Sequence, residues 1–183
     1  MNNKPGPISG SWLITTKVHA DARGQFVESF QKGVFAEQTR LSVDFIQDNE
    51  VVSRKGVVRG LHLQKEPHGQ SKLIRVVLGE IYDVAVDLRE DSSTYGEWFG
   101  VELSAENQTQ LFLPKGFAHG YSVLSKKAIV QYKIDAPYNP HAEVGVRFDD
   151  PDLGIDWQVN NPILSEKDQK LPFLKDLNSW NGY

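Results

Sequence analysis

Short stretches in which apolar and polar residues alternate dominate the chain, and clusters of Gly, Pro, Asn and Asp separate them. Residues 12–18, 24–30, 43–52 and 57–64 each predict a strand, followed by 72–78, 80–88, 98–103, 110–113, 120–124, 128–135 and 143–148. Their β-branched and aromatic content and regular spacing favour a sandwich or barrel over βαβ units. Gly79 and Glu80 lie between two such runs and predict a tight hairpin turn. Two stretches read as helical. Residues 31–39 show a modest helical period, and residues 165–169 open on Ser165 with a carboxylate soon after, an N-terminal capping signature. No internal repeat, low-complexity segment or linker interrupts the pattern. Residues 1–7 and those after Leu174 are expected to be loose ends. The pattern therefore predicts one all-β domain over residues 1–183 with a short helical tail.

Composition narrows the function classes. The chain has 183 residues, 39% hydrophobic and 24% charged, ordinary values for a globular domain with a real core. A formal charge of −4 argues against a nucleic-acid binder, yet leaves room for an anionic small ligand in a locally positive pocket. The absence of cysteine removes disulfides, thiolate catalysis and Cys-ligated metals. The first residues are polar and lack the apolar centre of a signal peptide, and no apolar run reaches the length of a membrane span. A cytoplasmic location is the expectation.

Several side chains could carry chemistry. Leu61 and Leu63 flank His62, so on a strand they face one way and the imidazole the other. His62 is then either a core histidine satisfied by a carbonyl, or it shares a polar lumen with Gly60, Gln64 and Lys72, the usual setting of a ligand site in a small barrel. Arg59 has the wrong strand parity to join that lumen unless a bulge at Gly60 turns it inward. Lys72 alternates with Ile74 and Val76, which puts its ammonium at the barrel mouth or beside a bound anion. Tyr132 is either packing in a β-run or a phenol across the pocket from His62, suited to donating a proton. Gln47 and Asn49 share a strand face, Tyr138 lies in a turn where its ring could stack on a base, and Asp21, Arg23 and Glu28 surround a glycine-enabled turn. An imidazole, an ammonium and a phenol together meet the needs of proton transfer beside a ketone, without a cofactor.

The motif Pro114-x-Gly116-x-x-His119 resembles the second signature of the cupin superfamily, where that His is often a metal ligand. Here the earlier motif supplies only His62, with His68 six positions on, a poor set for a three-ligand site, and no metal is expected. From about Trp12 to Leu174 the chain resembles the dTDP-4-dehydrorhamnose 3,5-epimerase family. The resemblance is carried by the motifs around Asp21, Arg23, Gln47, Asn49, His62, Lys72, Asp83, Leu103, His119, Trp157 and Asp168, in one order. It implies a cupin-type jelly-roll β-barrel with short flanking helices. It also implies a cofactor-free isomerase that inverts carbons 3 and 5 of dTDP-4-dehydro-6-deoxy-D-glucose. His62 would be the base, oriented by Asp168; Lys72 would steady the enolate oxygen; and Tyr132 would return a proton from the opposite face. Arg23, Glu28, Gln47, Asn49, Arg59, His119, Glu143 and Lys167 would hold the nucleotide sugar, with Tyr138 stacked on thymine. The resemblance further implies a homodimer in which an N-terminal strand or the Arg23 loop reaches into the partner's site. His19 stands where the family commonly has Phe. Single-centre epimerisation, ketoisomerisation and a non-catalytic sugar-binding jelly roll are the alternatives.

Overall fold

The computed structural model describes residues 2–179. In chain order it contains β1 (Asn2–Pro5), β2 (Trp12–Thr15), β3 (Val18–Asp21), β4 (Gly24–Val27), α1 (Lys32–Thr39), β5 (Gln47–Arg54) and β6 (Val58–Gln64). There follow β7 (Lys72–Leu78), β8 (Glu80–Asp87), β9 (Trp98–Ser104), β10 (Thr109–Leu113), β11 (Phe117–Val123), β12 (Lys127–Ile134) and β13 (Glu143–Gly145). The short helix α2 (Glu166–Gln169) and a 3₁₀ turn (Leu174–Ser179) close the chain. A six-stranded sheet runs β1-β2-β10-β7-β12-β5, and a five-stranded sheet runs β13-β6-β11-β8-β9. The pairings between named strands are antiparallel. The result is the expected jelly roll.

Strand alternation sorts the core into three layers. Ile74 and Val76 of β7, Ile81 and Ala85 of β8, Leu111 and Leu113 of β10 and Val130 of β12 meet between the sheets. Val58, Leu61, Val84, Val86 and Val144 face the other way, where Trp157 and Leu177 cover them. On the outside of the six-stranded sheet, Phe35 of α1 packs on Phe112 and, with Phe30 and Phe45, forms tilted and edge-on aromatic contacts at 5.3–5.9 Å. That geometry suits ring quadrupoles. Both helices fall where the sequence puts them. Gln31 caps α1 by accepting from the Val34 N–H, and Ser165 caps α2 by accepting from the Asp168 N–H.

Several expectations need correction. Gly79 makes no hairpin, because β7 and β8 belong to different sheets and Gly79 is the corner between them. Its φ of +79° and the approach of the Lys127 carbonyl to within 2.1 Å of where a Cβ would sit leave room only for glycine. Residues 12–18 split between β2 and β3, and β5 starts at Gln47 because Val43 and Phe45 turn into the aromatic cluster. The ends are also more ordered than expected. Asn2–Pro5 adds an edge strand to β2, and Leu177 of the 3₁₀ turn is buried. Residue 1 and residues 180–183 of those expected loose ends lie outside the described residues.

Candidate active site

A cavity of about 550 Å³ opens into the barrel between the two sheets. The register that builds it begins with His62, which pairs with His119 of β11. Arg59 pairs with Tyr121, so β6 spends three residues where β11 spends two. That extra residue is the bulge that strand parity demanded, and it returns Arg59 to the cavity wall beside His62. Gly60 makes it possible: its φ is +105°, and a Cβ there would meet Gly120 Cα and the His119 carbonyl at 2.5 Å.

His62 Nε2 lies 2.8 Å from Asp168 Oδ1. Asp168 is buried in the first turn of α2, where the Ser165 cap fixes its backbone. The bond commits Nε2 to the carboxylate and leaves Nδ1 as the free nitrogen, 3.8 Å from Glu143 Oε1. Glu143, on β13, accepts from the Tyr138 hydroxyl at 2.5 Å and pairs with Lys167. Burial pushes the Glu143 carboxyl up, but the Lys167 and Tyr138 hydrogen bonds outweigh it and hold it below the usual range. Tyr138 is exposed at the cavity edge, and its hydroxyl is made less acidic chiefly by the bond to Glu143. Gln64, expected as a lumen group, fastens this rim: its amide donates to the His68 and Pro137 carbonyls and accepts from the Asn139 N–H.

Lys72 enters from β7 and donates to the His62 carbonyl at 3.3 Å. Burial draws its pKa down to about 8, against the pull of the Glu143 and Asp83 carboxylates. Tyr132 stands on β12, paired with Asn49 of β5 and Ile74 of β7, and burial makes its phenol less acidic than usual. Gln47 and Asn49 share one face as expected, joined by a 2.8 Å bond from the Gln47 side-chain amide to Asn49 Oδ1. His119 lines the cavity with Nε2 held 3.0 Å from both oxygens of fully buried Asp83. The cavity thus gathers Gln47, Asn49, Arg59, His62, Lys72, His119, Tyr132, Tyr138, Glu143, Lys167 and Asp168.

Arg23 and Glu28 are not brought to this cavity. Arg23 sits in the exposed β3–β4 hairpin, hydrogen-bonded to Asp21, and Glu28 is exposed just beyond it. Two residues were missed from the sequence. Asp83 has a visible signal: a carboxylate sharing the parity of lumen residues Ile81 and Ala85 in an apolar strand. Tyr121 has none beyond its place two positions after His119. Its ring lines the cavity, and its buried hydroxyl lies beside Ser53 without a hydrogen bond of full strength among the described residues.

Among the described residues, no group of three or more His, Cys, Asp or Glu side chains gathers as a metal site. The two imidazoles in the cavity are tied to separate carboxylates, and His68 lies in an exposed loop.

A jelly roll with an imidazole–carboxylate pair, an ammonium and a phenol on one cavity has the equipment of a proton-transferring isomerase. Comparison with known proteins gives the family. The model described as dTDP-4-dehydrorhamnose 3,5-epimerase matches residues 5–176. A dTDP-4-dehydrorhamnose 3,5-epimerase of Methanothermobacter thermautotrophicus is 49% identical over 92% of this chain and 92% of its own. The Legionella pneumophila dTDP-6-deoxy-D-glucose-3,5-epimerase, solved in complex with dTDP-4-keto-L-rhamnose, superposes with a TM-score of 0.92 at 42% identity, covering 100% of this chain and 98% of that one. A dTDP-4-dehydrorhamnose 3-epimerase of Streptomyces niveus is 40% identical over 96% of this chain and 85% of its own. The chain belongs to the dTDP-4-dehydrorhamnose 3,5-epimerase family, isomerases on the cupin jelly roll.

Proposed function

We propose that this chain inverts carbons 3 and 5 of dTDP-4-dehydro-6-deoxy-D-glucose to give dTDP-4-dehydro-L-rhamnose. The observation that carries the reading is the His62–Asp168 pair facing a cavity that also holds Lys72 and Tyr132. His62 Nδ1 takes the proton from the carbon next to the C4 ketone, and the electron pair of that C–H bond moves onto the ketone oxygen. The Nε2–H···Asp168 bond stabilises the imidazolium that forms. Lys72 offsets the enolate charge, and Tyr132 delivers its proton to the opposite face, which inverts the centre. The ketone acidifies both neighbouring carbons, so one base and one acid serve both after the ring shifts. No electron acceptor enters the balance.

Arg59, Gln47, Asn49 and His119 contact the sugar and diphosphate in this reading, while Glu143, Lys167 and Tyr138 form the nucleotide end. Arg23 and Glu28 act in the cavity of a second copy, within a homodimer. Support comes from the hairpin that carries Arg23, which stands out from its own cavity and leaves Phe26 67% exposed. Among the described residues no helix is long and apolar enough to cross a membrane, and the cytoplasm is the proposed location.

Incubation with dTDP-4-dehydro-6-deoxy-D-glucose in heavy water, followed by NMR, tests the reading. The expected product is dTDP-4-dehydro-L-rhamnose with deuterium at both C3 and C5. A product inverted at one carbon would make the chain a single-centre epimerase. Binding without exchange would make it a sugar-binding jelly roll.

A further inference from the structure

We infer that Tyr121 is a proton relay that recharges Tyr132 between the two inversions. The inference rests on the two-centre reading above and starts from a buried hydroxyl whose contact with Ser53 falls short of a full hydrogen bond. Tyrosine hydroxyls inside proteins ordinarily find a partner, and a phenylalanine would fill the same space between the sheets without the hydroxyl. Packing alone gives little reason for this oxygen, since its neighbour Ser53 already accepts from Arg59. Its surroundings supply a chemical one. It lies on the wall of the catalytic cavity within the electrostatic reach of Tyr132 and Arg59. The nearby Ser53 hydroxyl accepts from Arg59 Nε at 3.1 Å, which holds the guanidinium against this corner of the lumen.

Two inversions require two protons from the acid side, and Tyr132 carries one. After the first C–H bond forms, Tyr132 is a phenolate in the barrel interior. Tyr121 passes its O–H proton to that oxygen, directly or across one water molecule. The O–H bond breaks at residue 121 and forms at residue 132, and the negative charge moves to Tyr121. There the Arg59 guanidinium, itself exposed at the cavity, stabilises it until a solvent proton arrives. His62 loses its proton to water through the open cavity, and both groups are ready for the second carbon. Tyr121 acts only through Tyr132 and does not touch the sugar.

The test is Tyr121→Phe, assayed in heavy water with dTDP-4-dehydro-6-deoxy-D-glucose by time-resolved NMR. Deuterium entry at the first-exchanging carbon should stay within about twofold of wild type, while entry at the second should fall by roughly tenfold or more, a fraction of the usual contribution of general acid catalysis because water replaces part of the relay. The melting temperature should equal or exceed that of wild type, a combination that a packing role does not produce. An unchanged ratio of second to first exchange overturns the relay while leaving the epimerase reading intact. A Phe variant that fails to fold also overturns it, since the hydroxyl would then be structural. If wild type exchanges a single carbon, the relay falls together with the two-centre reading.

Discussion

Lys72 is pulled in two directions, by burial against its charge and by the Glu143 and Asp83 carboxylates in favour of it. With a pKa near 8 in the folded chain and 10.5 ordinarily, the folded state binds fewer protons than the unfolded state between those values. Stability therefore rises with pH across that window. Activity moves the other way: kcat/KM should decline tenfold per unit above about pH 8, because the enolate needs the ammonium. Lys72→Met should lower kcat by about 10²–10³ and abolish that alkaline limb, as loss of an oxyanion donor does. A pH–rate profile of both forms checks this, and a limb that persists in the Met variant belongs to another group. That His62, Lys72 and Tyr132 face one cavity was one of two readings the sequence allowed for each, because a reactive side chain in an alternating apolar run can equally be packing. Arg59 was legible only on condition of a bulge, since parity alone points it outward. Tyr121 was not legible, because its meaning depends on a buried hydroxyl left without a full hydrogen bond by strands far apart in sequence.

At the level of elements, α2 is four residues long and places Asp168 against His62. A helix so short has little stability of its own, so its cap carries much of its order. Ser165→Ala should cost about 1 kcal/mol in a denaturant melt. It should also reduce kcat with KM nearly unchanged, because the base loses its orienting carboxylate. Ser165→Asp should restore both, and a loss of stability with full kcat would show that Asp168 is positioned by something else. Ser165 and the carboxylate after it announced this helix in the sequence, since capping is local. The corner at Gly79 did not announce itself. A glycine between two strand patterns signals a reversal, but whether the strands pair or part into two sheets is decided by which faces must be buried.

For the whole molecule, a sandwich or barrel was readable from strand spacing and the absence of long helical periods, and the jelly roll only through the family resemblance. The edge strand Asn2–Pro5 was not, being polar and proline-bearing and defined only by its partner β2. The proposed dimer has a direct consequence. Arg23→Ala and His62→Asn, each inactive as a pure protein, should regain up to about a quarter of wild-type activity when unfolded and refolded together, since half the dimers are mixed and each contains one complete site. No recovery on mixing would confine Arg23 to its own subunit. The central claim is that His62 removes both sugar protons, and the most direct measurement is solvent exchange by the His62→Asn variant. With dTDP-4-dehydro-6-deoxy-D-glucose in heavy water, a folded Asn variant is expected to bind substrate while incorporating no deuterium at C3 or C5. Deuterium entering either carbon at the wild-type rate would contradict the account.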